Sequence, residues 1–314
     1  MTSFIDFAFR EEYERVRILG DKLSEIDSLI NWEAFRPIVK DMYDNKTEKG
    51  GRPNIDEIIM IKILILQEWH GLSDPELERQ ITDRISFRKF LGFPDTIPDY
   101  STVWIFRERL SKSGKDKKIW QELQRQLDAK GLKVKKGVIQ DATFITSDPG
   151  HAKADKPRGD DAKTRKSKDG TWTKKNSKSF FGYKLHTKED IDYGLIREIE
   201  TTTASVHDSQ VDLSRPGEVS YRDKGYFGAA SKGHNATMNR SVRGHPIGIW
   251  DILRNKRISK KRAPGERPYA VIKNVFKCGH TMVTTVSRVG VKMIFASFGF
   301  NLYQLLTLRK QGIV

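Results

Sequence analysis

The sequence predicts an α/β protein whose N-terminal region is helical. Residues 52–130 contain several short segments with helical spacing and helix-capping residues. From Val134 onward the pattern changes to runs of β-branched and aromatic residues, which are typical of strands. Four such runs are predicted to be strands: 137–145, 180–187, 194–203 and 218–223. Because helices are predicted after these strands, this second region is expected to be a layered α/β structure.

The first helices are predicted from their periodicity and their ends. Residues 1–45 are amphipathic with helical spacing, and a loop containing Gly and Pro follows at 46–54. Residues 55–70 are strongly apolar and stop at Gly71. The length of this run and its terminal glycine favour a buried helix over a strand.

Two further helices are predicted from capping signals. Ser73 and Glu76 have the spacing of a capping box, so a helix is expected to follow them. Ser101 is expected to cap another helix, which carries Arg107 and Arg109. A set of short helices with a basic last member is typical of helix-turn-helix-like contact with DNA. A solvated basic face explains the same pattern equally well.

The domain organisation follows from this change of period. We expect a helical, DNA-binding N-terminal domain at 1–130, with a helix-turn-helix-like core at about 52–115. The second domain is expected at 134–310. Its later part has a helical pattern at 249–277, with a break near Pro264.

The longest apolar run, 289–308, contains Lys292, Asn301 and Gln304. These polar interruptions favour a buried helix over a membrane span. The N-terminus carries acidic residues where a signal peptide needs a basic start, and Cys278 is the single cysteine. We therefore expect a cytoplasmic protein with no membrane partner and no internal disulfide.

The charge balance points to a polyanionic partner. The formal net charge is +16 and the isoelectric point is about 9.7. Lys and Arg side chains replace the counterions that condense on nucleic-acid phosphates. Much of this charge lies in a polar loop, where residues 153–178 hold ten Lys and Arg against four Asp. A loop that contacts phosphate and a plain solvated loop both explain that composition.

Three carboxylates lie in sequence contexts that suggest one shared site. Asp141 interrupts an apolar strand, where Asp is disfavoured, Asp223 ends a later strand, and Glu266 lies in a very basic helical segment. Alone, each has an ordinary explanation as a turn cap or a salt-bridge partner. Together they form an oxygen donor set of the kind that Mg²⁺ and Mn²⁺ prefer. Two such ions can hold both the attacking and the leaving oxygen of a phosphodiester.

Ordered blocks along nearly the whole chain, roughly residues 50–310, carry a family resemblance. They are GRPNIDEIIMIKILILQEWHGLSDPELERQITDRISFRKFLGF, PDYSTVWIFRERL, VIQDATF, SFFGYKLH, TTTASVHDSQ, RDKGYFG and RAPGERPYAVIKNVF. With these blocks the chain resembles the DDE transposases of bacterial and archaeal insertion sequences, specifically the insertion-sequence-five group. The resemblance implies an RNase H-like mixed sheet flanked by helices.

The resemblance also assigns roles to individual residues. It makes Asp141, Asp223 and Glu266 the catalytic, metal-binding triad for Mg²⁺ or Mn²⁺. The spacing of Arg262, Glu266 and Lys273 fits the Arg, Glu and Lys of the family's Tyr-Arg-Glu-Lys signature, while Ser259 stands at its Tyr position. Arg262 and Lys273 are expected to contact DNA phosphate near the scissile bond. The substitution at 259 puts in question only a contact that needs the Tyr.

The activity implied by the resemblance is transposition. Metal-activated water cuts double-stranded DNA at the terminal inverted repeats, and the freed 3′-hydroxyl then attacks a target phosphodiester. Juxtaposition of two ends implies a homodimer on DNA, in the prokaryotic cytoplasm and at the nucleoid. No covalent intermediate between protein and DNA is expected.

Five residues near these motifs receive weaker interpretations. Trp172 and Trp250 are each either a platform for an unpaired terminal base or an ordinary packing or loop residue. His186 and His207 are either third metal ligands or polar neighbours of the site. Asp208 has the same alternative, and its ordinary role would be to cap a helix.

Three other functions remain open on sequence alone. A catalytically inactive or domesticated transposase would act as a DNA-binding regulator. An RNase H-like nuclease would cut without joining. A basic nucleoid-type protein would need no ordered acids, so it fits the sequence least well.

Overall fold

The structure, a computed structural model, describes residues 4–43, 54–150, 167–175 and 177–314. Most of the predicted loop at 46–54 and much of the basic loop, at 151–166, lie outside the described residues. The chain divides into two compact units. One comprises Met1–Lys130 with Leu305–Val314, and the other comprises Gly131–Gln304.

The first unit is helical in its described part, as predicted. Its α-helices are α1 Phe4–Leu19, α2 Lys22–Asp27, α3 Arg36–Val39, α4 Glu57–His70, α5 Asp74–Asp83, α6 Ile85–Phe90, α7 Tyr100–Ser113 and α8 Lys115–Ala129. Helix α4 is buried on nearly all sides. Even Lys62 is buried there, where its Nζ donates to Asp27 at 2.6 Å and to the carbonyl of Phe90 at 2.9 Å. This pairing keeps a charged side chain inside an apolar unit.

The ends of α4 confirm the sequence prediction. The Asp56 side chain accepts hydrogen bonds from the amides of Ile58 and Ile59, which the first helical turn otherwise leaves unpaired. Gly71 closes the helix in the left-handed conformation with φ +61°. A residue with a side chain is strained in that conformation, which explains why a glycine ends this apolar run.

Two capping predictions turn out differently. Ser73 caps α5 by accepting from the Glu76 amide at 3.4 Å, but the Glu76 carboxylate pairs with Arg79, so half of the capping box is formed. The prediction that Ser101 caps α7 is wrong. Asp99 is the cap, and Ser101 lies inside the first turn and donates to Asp99 at 2.8 Å. The carboxylate of Asp99, two residues before Ser101, satisfies the helix amide in its place.

The second unit is built on a mixed sheet. The described residues form strands β1 Val138–Ser147, β2 Thr171–Lys175, β3 Lys178–Asp190, β4 Ile196–Thr203, β5 Val219–Arg222, β6 His234–Thr237 and β7 His280–Thr281. The order β2-β3-β1-β5-β6 forms the main path, with β4 paired to β3 and β7 paired to β1. Strand β1 pairs antiparallel with β3 and parallel with β5. The four predicted strands are thus present, and the sheet is mixed.

Three strands were not predicted. Strand β2 lies within the segment that was predicted to be a loop, and it carries Trp172. Its residues, TWTKK, have no buried apolar alternation, so pairing with β3 and not burial defines the strand. Strands β6 and β7 are shorter still and also depend on their neighbours in the sheet.

Helices follow the strands as expected. They are α9 Ile249–Arg262, α10 Glu266–Ala270 and α11 Val286–Lys310. The predicted break near Pro264 is confirmed, because Ala263–Gly265 form a 3-10 turn between α9 and α10. A π-helical turn, Val271–Val275, then extends α10. Helix α11 is the one described helix long and apolar enough to cross a membrane, and 83% of its most apolar stretch is buried in the protein, as predicted for a core helix.

The end of β3 carries ionisable groups into the interior. Lys188 is 1% exposed and lies between Glu198 at 3.3 Å and Glu218 at 3.2 Å. Glu189 is 3% exposed, and burial raises its pKa to about 8, with a further contribution from Asp190 against an opposing one from Arg267. The neutral acid is therefore the form that fits this interior at pH 7.

Replacement of Glu189 by Gln tests this protonation state. The pKa of the folded protein is above the usual value of 4.5, so the protonated carboxyl contributes stability that is lost as the pH rises from about 4.5 through 8. The melting temperature of E189Q should equal that of the wild type at pH 5 and exceed it at pH 9. The exposed Glu200→Gln is the control and should show no such divergence. Equal melting temperatures of E189Q and the wild type at pH 9 would contradict the buried neutral acid.

The position of the α7 cap is testable by a matched pair of substitutions. Asp99→Ala should lower the free energy of unfolding by about 1 kcal/mol, because it removes the acceptor for the Thr102 amide. Ser101→Ala should change the free energy of unfolding by only a few tenths of about 1 kcal/mol, because Ser101 does not cap the helix. Urea unfolding of the full chain, followed by circular dichroism, measures both. A larger loss for Ser101→Ala would reverse the assignment.

Candidate active site

Asp141 lies in the middle of β1, the strand with partners on both sides. Side chains alternate across a strand, so Ile139, Asp141 and Thr143 share one face. Asp141 is opposite Thr187 of β3 in the antiparallel register. Its side chain is 17% exposed, and one oxygen accepts the Ala142 amide at 2.9 Å. The ladder to β3 therefore holds this carboxylate at a defined height.

Asp223 directly follows β5, the parallel neighbour of β1. The parallel register pairs Ile139 of β1 with Tyr221 of β5, and each aspartate follows its paired residue by two positions. Two positions along adjacent parallel strands keep both residues on the same face and at the same height. The Asp223 side chain also caps a 3-10 turn by accepting the Gly225 amide at 2.8 Å. This contact orients the carboxylate at the end of the strand.

Glu266 is the first residue of α10, and contacts on either side connect its segment to β1. The Arg262 guanidinium donates to Asp141 at 2.9 Å. Gly265 lies against Ile139 so closely that a Cβ atom would be 2.7 Å from the Ile139 Cγ2 methyl. Glu266 itself is exposed. The turn before α10 is thus held against the same strand that carries Asp141.

Two further contacts connect the segment after Glu266 to the sheet. The Tyr269 hydroxyl is hydrogen-bonded to Thr187 at 2.7 Å, and Thr187 is the cross-strand neighbour of Asp141. In the π-helical turn, Lys273 donates to Thr143 at 3.2 Å. Such turns are often found at functional sites, because the extra residue redirects a side chain. Arg262 and Lys273 therefore contact neighbouring same-face positions of β1.

The carboxylates influence one another electrostatically. Burial raises the pKa of Asp141 to about 6, Arg262 and the Ala142 amide oppose this, and the negative charges of Asp223 and Glu266 add to it. Like charges that raise each other's pKa are stabilised by a nearby cation. In the structure, Arg262 supplies that positive charge to Asp141.

The donor types fit a hard divalent cation, although their arrangement is not that of a closed metal site. Within the described parts of the chain, no group of three His, Cys, Asp or Glu residues is placed to hold a metal ion. One oxygen of Asp141 is paired with Arg262, and the Glu266 side chain faces solvent. Carboxylate oxygens are nevertheless the ligands that Mg²⁺ and Mn²⁺ prefer.

Comparison with known families decides the class of the protein. A family described as Transposase DDE domain matches residues 132–302, more than half of the chain. The chain belongs to the DDE transposase family. A second family, described as Transposase domain (DUF772), matches residues 10–109. No solved structure matches the chain.

The family confirms the predicted transposase identity and the RNase H-like fold of the sheet-containing region. The insertion-sequence-five group stays a prediction, as do the roles of the individual site residues. Transposase families act on DNA, and the net charge of +16 agrees with a polyanionic partner.

The two arginines predicted on α7 have partners inside the helical unit. The Arg107 guanidinium pairs with Asp74 at 2.7 Å and also donates to Gln67. The Arg109 guanidinium lies 5.0 Å from the ring centre of Tyr43. Contact of Arg107 with DNA would require it to leave a largely buried ion pair, so its internal role is the better supported one. Contact of either arginine with DNA stays a prediction.

The five residues with weaker interpretations are all placed. Trp172 on β2 and Trp250 on α9 are 55% and 78% exposed, and their base-stacking role stays a prediction. His186 is fully buried and bonded to Thr202 at 2.9 Å, with its pKa lowered to about 4 by burial. His207, and not Asp208, caps the short helix Asp208–Gln210, so that prediction is wrong. Asp208 instead pairs with Lys184 at 2.8 Å.

Sequence reasoning missed Gly265 and Tyr269. Both lie within the RAPGERPY block, beside Glu266, but nothing in the pattern shows which strand residues they contact. A glycine directly before a helix was the one available signal, because glycine permits close backbone approach. The contact with Ile139 is a tertiary one and needs the sheet register.

Gly265→Ala tests whether this close approach positions Glu266. The φ of Gly265 is −63°, an ordinary helical value, so any damage must come from the added methyl group meeting Ile139. We expect about tenfold or greater loss of DNA cleavage, since a displacement of about 1 Å at a reacting site can cost roughly a hundredfold. Partial recovery is expected on adding Ile139→Ala, which removes the opposing methyl group.

The control for this substitution is Gly290→Ala in α11, where a Cβ atom meets nothing within 4 Å. It should leave cleavage unchanged and raise stability by roughly 0.5–1 kcal/mol, because alanine restricts the unfolded chain. Full activity of G265A would show that the turn tolerates a shift and that the contact does not position Glu266.

Proposed function

We propose that this transposase binds the terminal inverted repeats of its element and catalyses metal-dependent DNA cleavage and strand transfer. The observation that supports the proposal is the register of β1 and β5, in which Asp141 and Asp223 each follow the Ile139–Tyr221 pair by two positions. The segment carrying Glu266 is connected to the same strand on both sides. These contacts support a site in which three carboxylates from distant parts of the chain act together on one face of the sheet.

Asp141, Asp223 and Glu266 would hold Mg²⁺ or Mn²⁺ in this site. When bound, the ions supply activation of a water or a 3′-hydroxyl and stabilise charge on the phosphodiester. Ionised carboxylates are required as ligands, and with a pKa of about 6 Asp141 is mostly ionised at pH 7.

Arg262 and Lys273 are proposed to bind DNA phosphate. Arg262 pairs with Asp141, so its guanidinium lies beside the proposed site, where it would bind a DNA phosphate. Lys273 is already held at Thr143, two residues beyond Asp141. Both then contact the backbone near the bond that is cut, and they orient the strand without taking part in covalent chemistry.

The helical unit is proposed to recognise the ends of the element. Tyr100, Trp104 and Ile105 of α7 are exposed large side chains, an unusual set for a solvated helix face. Transposition brings two ends together, so we infer a homodimer on DNA. The proposed place of action is the prokaryotic cytoplasm, at the nucleoid.

The test is a cleavage and joining assay with the full chain. Labelled duplex from the element's end is incubated with a target plasmid and either Mg²⁺ or EDTA. The variants are D141N, D223N and E266Q, and Glu200→Gln is the matched control because it removes an exposed carboxylate elsewhere in the sheet. We expect nicking and joining that need Mg²⁺ and that fall at least a thousandfold in each triad variant.

Each alternative function has its own outcome. Nicking without joining would identify a nuclease, and binding without metal-dependent cleavage would identify a DNA-binding regulator. Mg²⁺ or Mn²⁺ should also raise the melting temperature of the wild type and of E200Q more than that of D141N, because binding to the folded state alone stabilises it. Equal shifts in all three proteins would remove Asp141 from the metal site.

A further inference from the structure

A basic cavity borders β1 directly after Asp141. Its volume is about 210 Å³, well above the roughly 30 Å³ that one water molecule occupies. It is bounded by residues of β1, the β2–β3 hairpin and the segment before the helix Asp208–Gln210: Ala142, Thr143, Phe144, Thr173, Lys174, Lys175, Lys184, His207 and Asp208. All of them belong to the sheet-containing unit.

The charges around this cavity are unbalanced. Its one carboxylate, Asp208, is already paired with Lys184 at 2.8 Å, and Lys184 also donates to the carbonyl of Val206. Lys174 and Lys175 are exposed on β2, and neither pairs with a carboxylate of the described residues. The cavity therefore presents two lysines to solvent, beside a third that is fixed in its wall.

Lys175 also lies close to the segment that carries Glu266. Burial lowers the pKa of Lys273, and the positive charge of Lys175 lowers it further. The Lys175 ammonium is 5.9 Å from the ring centre of Phe144, and the Lys184 ammonium is 5.2 Å from the same ring. Several cations that approach one another without an intervening anion are stabilised when an anion binds between them.

We propose that this cavity binds a backbone phosphate of the DNA strand held at Asp141, and that Lys174 and Lys175 are its ligands. This phosphate is not the one that is cut. The inference rests on the proposed function, because it places the same strand along β1. Lys184 forms the wall and keeps Asp208 from repelling the phosphate, while the Thr143 hydroxyl lies at the boundary with the cleavage site. The β2–β3 hairpin thus sets the path of the strand past the reacting bond.

The test compares the variant K174Q/K175Q with K133Q/K136Q in the full chain. The control removes the same number of charges from exposed lysines that precede the start of β1 and do not line the cavity. Binding to duplex from the element's end is measured in EDTA over a series of salt concentrations. K174Q/K175Q should bind roughly three- to tenfold more weakly, and its salt slope should be smaller by about 0.9. The charge-retaining variant K174R/K175R should keep the wild-type slope.

Neutral methylphosphonates, placed singly along the strand, identify the phosphate. One position should weaken binding by the wild type and by K133Q/K136Q but have no further effect on K174Q/K175Q. If every position weakens K174Q/K175Q as much as the wild type, or if its salt slope is unchanged, the cavity does not bind phosphate. Cleavage in Mg²⁺ is measured separately. If the protein binds DNA but does not cut it, the proposed function is wrong, and the binding comparison of the two lysine variants still tests the cavity.

Discussion

The paired registers of β1 are the constraint on which the rest of the site depends. The ladder to β3 fixes the height of β1 from Val138 to Thr146, and the ladder to β5 fixes Val138 and Ile139 on the other side. A slip of one residue in either ladder would turn Asp141 to the opposite face or separate it from Asp223. A carboxylate in an apolar strand is costly, and it is tolerated here because the strand is held on both sides and Arg262 supplies a counter-charge.

The segment from Arg262 to Lys273 packs against β1 and its neighbour β3. Arg262 forms an ion pair with Asp141, and Gly265 contacts Ile139. The Tyr269 hydroxyl is hydrogen-bonded to Thr187, and the Lys273 ammonium donates to the Thr143 hydroxyl. A 3-10 turn, an α-helical turn and a π-helical turn follow one another over this short stretch, so each side chain contacts a different point on the sheet. A regular helix would repeat its contacts every 3.6 residues and would not follow the pleat.

Asp141 has an internal counter-charge. Arg262 neutralises Asp141 while Glu266 is exposed, so the three carboxylates do not form a closed site among the described residues. The neighbouring cavity shows the converse imbalance, with lysines that lack acidic partners among the described residues. Acidic and basic surfaces placed side by side suit a polyanion that arrives together with divalent cations.

The sequence by itself determined the identity and type of the elements that carry strong local signals. Helix α4 follows from an apolar run with an Asp and a Gly at its ends, and β1 follows from its branched and aromatic residues, since these signals act over a few neighbouring residues. Strand β2, the cap at Asp99 and the contacts of Gly265 and Tyr269 could not be predicted in this way. The Asp99 cap and β2 have partners close by in the chain, Thr102 and the adjacent β3, but the local pattern offers more than one choice of cap and gives β2 no buried alternation. The contacts of Gly265 and Tyr269 join residues far apart in the chain, and only the sheet register and the packing of α10 bring those together.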